Sequence, residues 1–177
     1  MSTDGPRIIT GSEDKSARIW DATTGAELHN LTGHAEGINA VAITPDGTRI
    51  VTGAGDSPAI VWDATNGAKL LTLKGHTQSI FSVAVTRDGT RIVTASADNT
   101  ARVWNARSGA EITQLKSYSG KVYAVAFTPD GARIITGSND HIARVWDANS
   151  GTLLTLLEGH ADTVSSVAVT ITRGIQP

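Results

Sequence analysis

The 177-residue sequence predicts an all-β protein built from four copies of one antiparallel unit. The first observation is the spacing of its four tryptophans, which stand 42 residues apart: Trp20, Trp62, Trp104 and Trp146. The second is that residues 5–46 and 47–88 align without gaps and are identical at 22 of 42 positions. The third is that short apolar runs alternate with Gly, Asp and Asn, without helical periodicity. Repeats of this length predict units that stack on one another.

The second unit shows the predicted strands in order. They are TRIVTG (48–53), AIVWDA (59–64), KLLTL (69–73) and IFSVAVT (80–86). The turns contain Asp56, Asn66-Gly67, Gly75-His76 and Asp88-Gly89. Runs rich in Ile, Val, Leu, Thr and Trp, bounded by Gly or by Asx-Gly pairs, predict strands joined in hairpins. These strands are apolar on both sides, so we expect each four-stranded meander to be sandwiched between neighbouring sheets.

Composition and charge exclude several classes of protein. The chain has 15 Lys and Arg against 17 Asp and Glu, so it has no overall basic character suited to nucleic acid. It has no cysteine, which excludes disulfides and thiol chemistry. No apolar stretch is long enough for the core of a signal peptide or for a membrane span. We expect neither nucleic acid nor a membrane as a partner, and a cytoplasmic location.

Two dipeptides recur in phase with the repeat. Gly-His stands at Gly33-His34, Gly75-His76 and Gly159-His160, and Trp-Asp at Trp20-Asp21, Trp62-Asp63 and Trp146-Asp147. An aspartate precedes each tryptophan by six residues, at Asp14, Asp56, Asp98 and Asp140. Through these residues the sequence resembles the WD-repeat β-propeller family, from about residue 6 to residue 170.

The resemblance implies four propeller blades per chain. Residues 1–5 and 171–177 are then terminal tails, and residues 6–170 hold four WD repeats. The repeat units, about 5–46, 47–88, 89–130 and 131–170, are out of phase with the blades. The chain begins at the second strand of a blade, Arg7–Gly11, and its last repeat ends with a first strand, Thr163–Thr170. The two ends therefore complement each other.

This complementarity bears on how many chains form the ring. Four blades in one ring would need about 90° between neighbours, against about 45° for eight, and the small residues near the inner strands lack the bulk for so wide a wedge. An open arc would expose two apolar sheet faces and an unpaired strand. We expect a homodimer that closes an eight-bladed ring by pairing Thr163–Thr170 of one chain with Arg7–Gly11 of the other. A four-bladed monomer, a fragment of a longer chain and another oligomer are the alternatives.

The resemblance also implies a polar network in each blade, in which a His contacts a Thr and an Asp while the Thr contacts the Trp indole. The expected sets are His34, Thr52, Asp56 and Trp62; His76, Thr94, Asp98 and Trp104; and His160, Thr10, Asp14 and Trp20. A buried indole N–H needs an acceptor and a buried carboxylate needs donors, so a closed network suits them. Histidines 42 or more residues apart do not have zinc-ligand spacing, so we expect no metal and no cofactor.

The third unit departs from this pattern. Ser117-Tyr118 stands where Gly-His is due, and Asn105 follows Trp104 in place of Asp. The set of Thr136, Asp140 and Trp146 should then lack its imidazole. We expect a locally looser blade there, unless a phenol or a water molecule fills the gap.

The sequence offers no catalytic constellation, so we expect a non-enzymatic scaffold that binds protein or peptide through the loops of one propeller face. The resemblance places the contact positions of this top face at Gly37, Asn39, Gly55, Ser79, Phe81, Ala97, Lys121, Tyr123, Asn139, Thr163, Ser165 and Glu13. Phe81 and Tyr123 are either interface anchors or plugs of the central channel. The alternatives to a scaffold are a small-ligand binder or enzyme that uses the channel, and an engineered or fragment repeat protein without a partner.

Overall fold

The computed structural model describes residues 5–116 and 119–170, and this part of the chain contains fifteen β-strands. In chain order they are β1 Arg7–Gly11, β2 Ser16–Asp21, β3 Glu27–Thr32, β4 Ile38–Ile43, β5 Arg49–Ala54, β6 Ala59–Asp63, β7 Lys69–Leu73, β8 Ile80–Val85, β9 Arg91–Ser96, β10 Thr100–Asn105, β11 Glu111–Lys116, β12 Val122–Phe127, β13 Arg133–Ser138, β14 Ala143–Asp147 and β15 Leu153–Leu157. No helix in these residues is long and apolar enough to cross a membrane.

The strands form four antiparallel sheets in which sequential strands are neighbours. Blade 1 contains β1–β3, blade 2 contains β4–β7, blade 3 contains β8–β11 and blade 4 contains β12–β15. The prediction of an all-β chain with four meander blades is confirmed; within the described residues, blade 1 contains three strands and each other blade contains four. Residues 1–4, 117–118 and 171–177 lie outside the described part. They comprise most of the predicted tails together with Ser117 and Tyr118.

The turns form where the sequence places Asp-Gly pairs. Between β4 and β5, the Asp46 carboxylate accepts hydrogen bonds from the Thr44 hydroxyl and the Thr48 amide. Gly47 has φ of +69° and its amide donates to the Thr44 carbonyl at 2.8 Å. A positive φ is costly for residues with a Cβ, so the glycine fixes the place where the chain reverses.

The core lies between blades. At the junction of blades 1 and 2, Ile19 and Leu31 of blade 1 pack against Ile50, Trp62 and Ala64 of blade 2, all nearly inaccessible to solvent. Equivalent clusters lie at the junction of blades 2 and 3 and at that of blades 3 and 4. The apolar residues on both faces of a middle blade are therefore used in two different junctions, as the sequence predicted.

The first and last blades each expose one face. Ile8 is 51% exposed, whereas its counterparts Ile50, Ile92 and Ile134 are fully buried. Leu157 is 45% exposed, whereas Leu31, Leu73 and Leu115 are buried. Packing runs from blade 1 to 2, from 2 to 3 and from 3 to 4, without extensive contact between strands of blades 4 and 1 in the described residues. The single chain is thus an open arc.

The segment 163–170 follows blade 4 and has no strand partner within the described residues. The Val164 amide nevertheless donates to the Ser138 carbonyl at 3.0 Å, as the Ile38 amide does to the Ser12 carbonyl at 3.0 Å. Val164 is buried against Gly137, where a Cβ would collide with the Val164 carbonyl. The segment therefore lies where the inner strand of a following blade would lie.

Candidate functional site

One residue in each complete inner strand is set apart by a β-bulge. The ladder between β4 and β5 shifts register between Ile38 and Ala40, and equivalent shifts occur in blades 3 and 4. The extra residues are Asn39, Phe81 and Tyr123. A bulge leaves its extra residue outside the ladder and redirects its side chain, and bulges are frequent at sheet edges and next to active sites. These three positions are among those that the sequence predicted for contacts.

Phe81 and Tyr123 form one aromatic surface across two blades. Their ring centroids lie 4.8 Å apart and the ring planes differ by 5°, so the rings are stacked. Both side chains are half-buried. A stacked aromatic pair contributes about 0.5–1.5 kcal/mol beyond the area it buries. The two residues therefore stabilise the boundary of blades 3 and 4 while leaving part of their surface accessible.

The other predicted contact residues include polar side chains on all four blades. Asn39 is exposed, and its Nδ2 donates to the Ile80 carbonyl at 3.0 Å, which joins blade 2 to blade 3. The Ser79 hydroxyl donates to the Gly55 carbonyl at 3.3 Å. Lys121 is exposed and its carbonyl accepts the Asn139 amide at 3.1 Å. Glu13, Thr163 and Ser165, at the two ends of the arc, are exposed.

The network of blade 2 contains every group that the resemblance implies. The Trp62 indole donates to the Thr52 hydroxyl at 2.9 Å, and Thr52 Oγ1 lies 2.8 Å from His34 Nε2. His34 Nδ1 lies 2.8 Å from Asp56 Oδ1. Because the carboxylate can only accept, Nδ1 carries the hydrogen and Nε2 accepts from the threonine. The chain of bonds satisfies each of these polar groups in a buried place.

Blade 3 repeats this arrangement. His76 Nδ1 lies 2.8 Å from Asp98, His76 Nε2 lies 2.7 Å from Thr94, and the Trp104 indole donates to Thr94 at 2.9 Å. Burial alone would raise the pKa of Asp98, but hydrogen bonds from His76 and Thr100 outweigh burial and hold that pKa well below its ordinary value. Asp98 therefore remains an ionised acceptor in the folded chain.

This depressed pKa predicts an acid-sensitive stability. A carboxyl whose pKa is lowered by folding stabilises the fold above its ordinary pKa of 3.8, and that contribution is lost as the pH falls below it. Asp98→Asn should lower the free energy of unfolding by about 1–3 kcal/mol at pH 7, and the difference from the wild type should shrink at pH 3. Urea unfolding at both pH values measures it, with the exposed Glu36→Gln as control. A difference that grows on acidification would contradict the assignment.

Among the residues that the structure describes, the network of blade 1 contains no imidazole. The Trp20 indole donates to Thr10 at 2.9 Å, and Asp14 accepts from the Ser16 hydroxyl at 2.6 Å. His160, which the sequence assigns to this network, is exposed at the opposite end of the arc. Its assignment stays a prediction that concerns contact between chains.

Blade 4 satisfies its aspartate with an arginine. Arg144 Nη2 lies 2.7 Å from Asp140 Oδ2 and Nη1 lies 3.0 Å from Oδ1, a two-pronged ion pair whose side chains are almost completely buried. The Trp146 indole still donates to Thr136 at 2.9 Å. Tyr118, which prompted the expectation of a gap, lies outside the described residues. The described part of the network is closed around Asp140 by Arg144, a residue that the sequence analysis did not consider.

A second set of arginines joins consecutive blades and was also missed. Arg7 Nη1 donates to the Ala64 carbonyl at 2.7 Å and Arg49 Nη1 to the Ala106 carbonyl at 2.6 Å. Arg91 reaches the Ala148 carbonyl at 3.4 Å and also binds Asn149 Oδ1 at 2.8 Å. We call these contacts the arginine clamps. The signal that could have revealed them is an arginine at the same position of all four repeats, 42 residues apart.

Many aspartates of the described residues accept hydrogen bonds in turns. Each pKa shift resolved for them is downward, and Thr86 and Thr90 lower the pKa of Asp88 to about 2. A hollow of about 520 Å³ lies at the turns of blades 2 and 3 and includes Asp46 and Asp88. Carboxylates held ionised in this way suit turn formation and not general acid chemistry.

The family model of the WD domain, G-beta repeat, matches residues 1–21, 25–63, 67–105 and 109–147, which is more than half of the chain. The chain is 48% identical over 44 residues to the U5 small nuclear ribonucleoprotein 40 kDa protein of Pongo abelii and 46% identical over 44 residues to that of Homo sapiens. It is 47% identical over 38 residues to the Dynein assembly factor with WD repeat domains 1 of Danio rerio. These matches cover 22–25% of this chain and only 9–12% of the relatives. The chain belongs to the WD-repeat family.

Proposed function

We propose that this chain is a non-catalytic scaffold that binds a protein or peptide through the bulge surface, formed by Asn39, Ser79, Phe81, Lys121 and Tyr123. The observation that carries the proposal is the stack of Phe81 on Tyr123 at two bulged positions, where the other complete blade has Asn39. WD repeats generally mediate protein interactions, and the matched relatives are named for a ribonucleoprotein and for dynein assembly.

The chemistry of the bulge surface suits a partner segment with both apolar and polar groups. The aromatic pair offers rigid apolar area that loses little side-chain entropy on binding. Asn39 already donates to a carbonyl of the next blade and Ser79 to a carbonyl of the preceding blade, so their positions are fixed before a partner arrives. Lys121 is exposed, lies two residues before Tyr123 in the chain and supplies a positive charge. A peptide that places an apolar side chain on the stack and a carboxylate near Lys121 fits this surface best.

Peptides selected from a random phage-displayed library against the 177-residue chain provide the test. In fluorescence polarisation, Phe81→Ala with Tyr123→Ala should weaken the selected peptides at least about tenfold, since aromatic anchors carry much of an interface's energy. The free energy of unfolding should fall as well, because the variant loses both the stack, worth about 0.5–1.5 kcal/mol, and the apolar area that the two half-buried rings cover. Affinity is therefore compared on chains that circular dichroism shows to be folded.

The matched control is Ile112→Ala, which removes an exposed apolar side chain from an outer strand and should leave affinity unchanged. A peptide that binds the aromatic double variant as tightly as the wild type would contradict the location of the site. A library without enriched sequences would contradict the scaffold function itself.

The scaffold acts, in this proposal, as half of an eight-bladed ring formed by two chains. The open faces of blades 1 and 4 and the unpaired segment 163–170 support this. Large exposed apolar faces and free strand edges are typical of surfaces that associate. Light scattering at micromolar concentration should give twice the 18.4 kDa mass of the chain, and a mass of 18.4 kDa would contradict the ring.

A further inference from the structure

We infer that the two exposed ends of the arc are the separated halves of one standard blade junction, completed when a second copy of this chain docks head to tail. The N-terminal end face comprises Ile8, Trp20, Ala22 and Gly25, and the C-terminal end face comprises Arg133, Leu157, His160 and segment 163–170. The inference deepens the proposed two-chain ring, on which it rests, by assigning the contacts that hold it together.

The arginine clamps give the first argument. Each clamp joins an arginine to the carbonyl of an alanine 57 residues later in the chain. Arg133 is the fourth arginine of the series and is exposed. The alanine at the acceptor position of the remaining blade, blade 1, is Ala22, which is exposed although Ala64, Ala106 and Ala148 are buried. In the inferred junction, the acceptor for Arg133 is the Ala22 carbonyl of a second copy.

Leucine packing on glycine gives the second argument. The Cδ2 atoms of Leu31, Leu73 and Leu115 lie 3.2, 3.3 and 3.4 Å from where a Cβ would stand on the glycines of the next blade, Gly67, Gly109 and Gly151. The fourth leucine, Leu157, is 45% exposed, and the space around the remaining glycine, Gly25, is open. Within the described residues, Leu157 therefore packs on no glycine at the C-terminal end face, and no leucine packs on Gly25 at the N-terminal end face.

The inner strand and the network give the third argument. Segment 163–170 is already seated on blade 4 through the Val164–Ser138 hydrogen bond, and its other edge is unpaired. At the opposite end, a groove of about 290 Å³ runs between residues 9–11 of β1 and residues 38–41 of β4. A strand placed there would pair with β1, as β4 pairs with β5.

The same placement would supply the missing imidazole. In blade 2, His34 precedes β4 by four residues and reaches Asp56 and Thr52. His160 precedes Val164 by four residues, in the same phase. Seating the segment against β1 of the second copy therefore brings His160 to Asp14 and Thr10 of that copy.

These contacts specify a head-to-tail junction, since each links a C-terminal end face to an N-terminal end face. Two copies then form two identical junctions, and the ring closes with two-fold symmetry. Burial of Leu157, Ile8 and Trp20 would provide the apolar contribution that the three internal junctions show.

The experiment uses one variant that disrupts each end face and one matched control variant. Ile8→Lys places a charge on the N-terminal end face, and Leu157→Lys does so on the C-terminal end face. Both residues are exposed in the single chain, so neither change should prevent folding. The control, Leu154→Lys, lies on the same strand as Leu157 and is 47% exposed, and its counterparts Leu70 and Ile112 are exposed inside the arc as well. Light scattering and sedimentation give the masses.

The wild type and Leu154→Lys should have twice the 18.4 kDa chain mass, and Ile8→Lys and Leu157→Lys alone should have 18.4 kDa. An equimolar mixture of Ile8→Lys and Leu157→Lys should recover the double mass, because each pair retains one intact junction. A wild type of single mass overturns the ring, while double mass in either end-face variant overturns only the assigned contacts. A mixture that stays at single mass overturns the head-to-tail order. Peptide binding to the bulge surface is measured independently, so its failure is distinguishable from these outcomes.

Discussion

Arg144→Met is expected to lower the free energy of unfolding by about 3–5 kcal/mol. The side chains of Arg144 and Asp140 are 3% and 5% exposed and form a two-pronged ion pair. Removing the guanidinium leaves a buried carboxylate without its principal charge partner, and such losses reach this size. Urea unfolding followed by tryptophan fluorescence measures the effect, and Trp146 in the same blade is a suitable reporter.

The control is Arg18→Met, at the equivalent position of blade 1. Arg18 Nη1 lies 2.6 Å from Glu27 Oε2, but both side chains are 36% exposed, so the expected cost is below about 1 kcal/mol. Adding Asp140→Asn to Arg144→Met should restore part of the lost stability, because the uncompensated charge is then absent. Equal costs for the two arginine variants would show that Arg144 has no special role in blade 4.

Trp104→Ala is expected to cost about 3–5 kcal/mol. The indole is among the largest fully buried side chains of the described residues, and its removal leaves a cavity between blades 2 and 3. It also removes the N–H that donates to Thr94 at 2.9 Å, which disturbs the network of His76 and Asp98. The measurement is the same unfolding experiment, made at a concentration where the chain is single.

Trp20→Ala provides the comparison under those conditions. Trp20 makes the same hydrogen bond to Thr10, but it is only half-buried and faces solvent at the end of the arc. Its replacement should cost clearly less than that of Trp104, because less apolar surface returns to water. If both replacements cost the same in the single chain, the end face of blade 1 is not open in solution.

The repeat phase explains how much of the fold the sequence could predict. Gly47, Gly89 and Gly131 follow aspartates at the same place in successive units, and they mark turns through their positive φ. The apolar runs between such turns fix the strands, and strands that are apolar on both faces require neighbouring sheets. The bulges at Asn39, Phe81 and Tyr123 could not be predicted in this way, because an extra residue in one strand has no signature in an apolar run.

The pairing of Arg144 with Asp140 was missed for a different reason. An alignment of the repeats shows that Tyr118 replaces the histidine. It does not show that the Arg144 guanidinium, on β14, reaches Asp140. A signal exists at Leu153, where blades 1 and 3 have Glu27 and Glu111 as ion-pair partners for their arginines. Because no glutamate stands at position 153, the Arg144 guanidinium is available for another carboxylate. Asp140 lies four residues before Arg144, in the turn between β13 and β14.

The bulges also bear on how such proteins diversify. A residue outside the ladder does not follow the alternation of inward and outward side chains along its strand. It can therefore be substituted without rearranging the sheet. The chain already carries an amide, a phenyl and a phenol at three such positions, Asn39, Phe81 and Tyr123, on nearly identical frames. Duplication of a repeat copies the sheet. Single substitutions at the bulged positions then change the chemical groups that the surface presents.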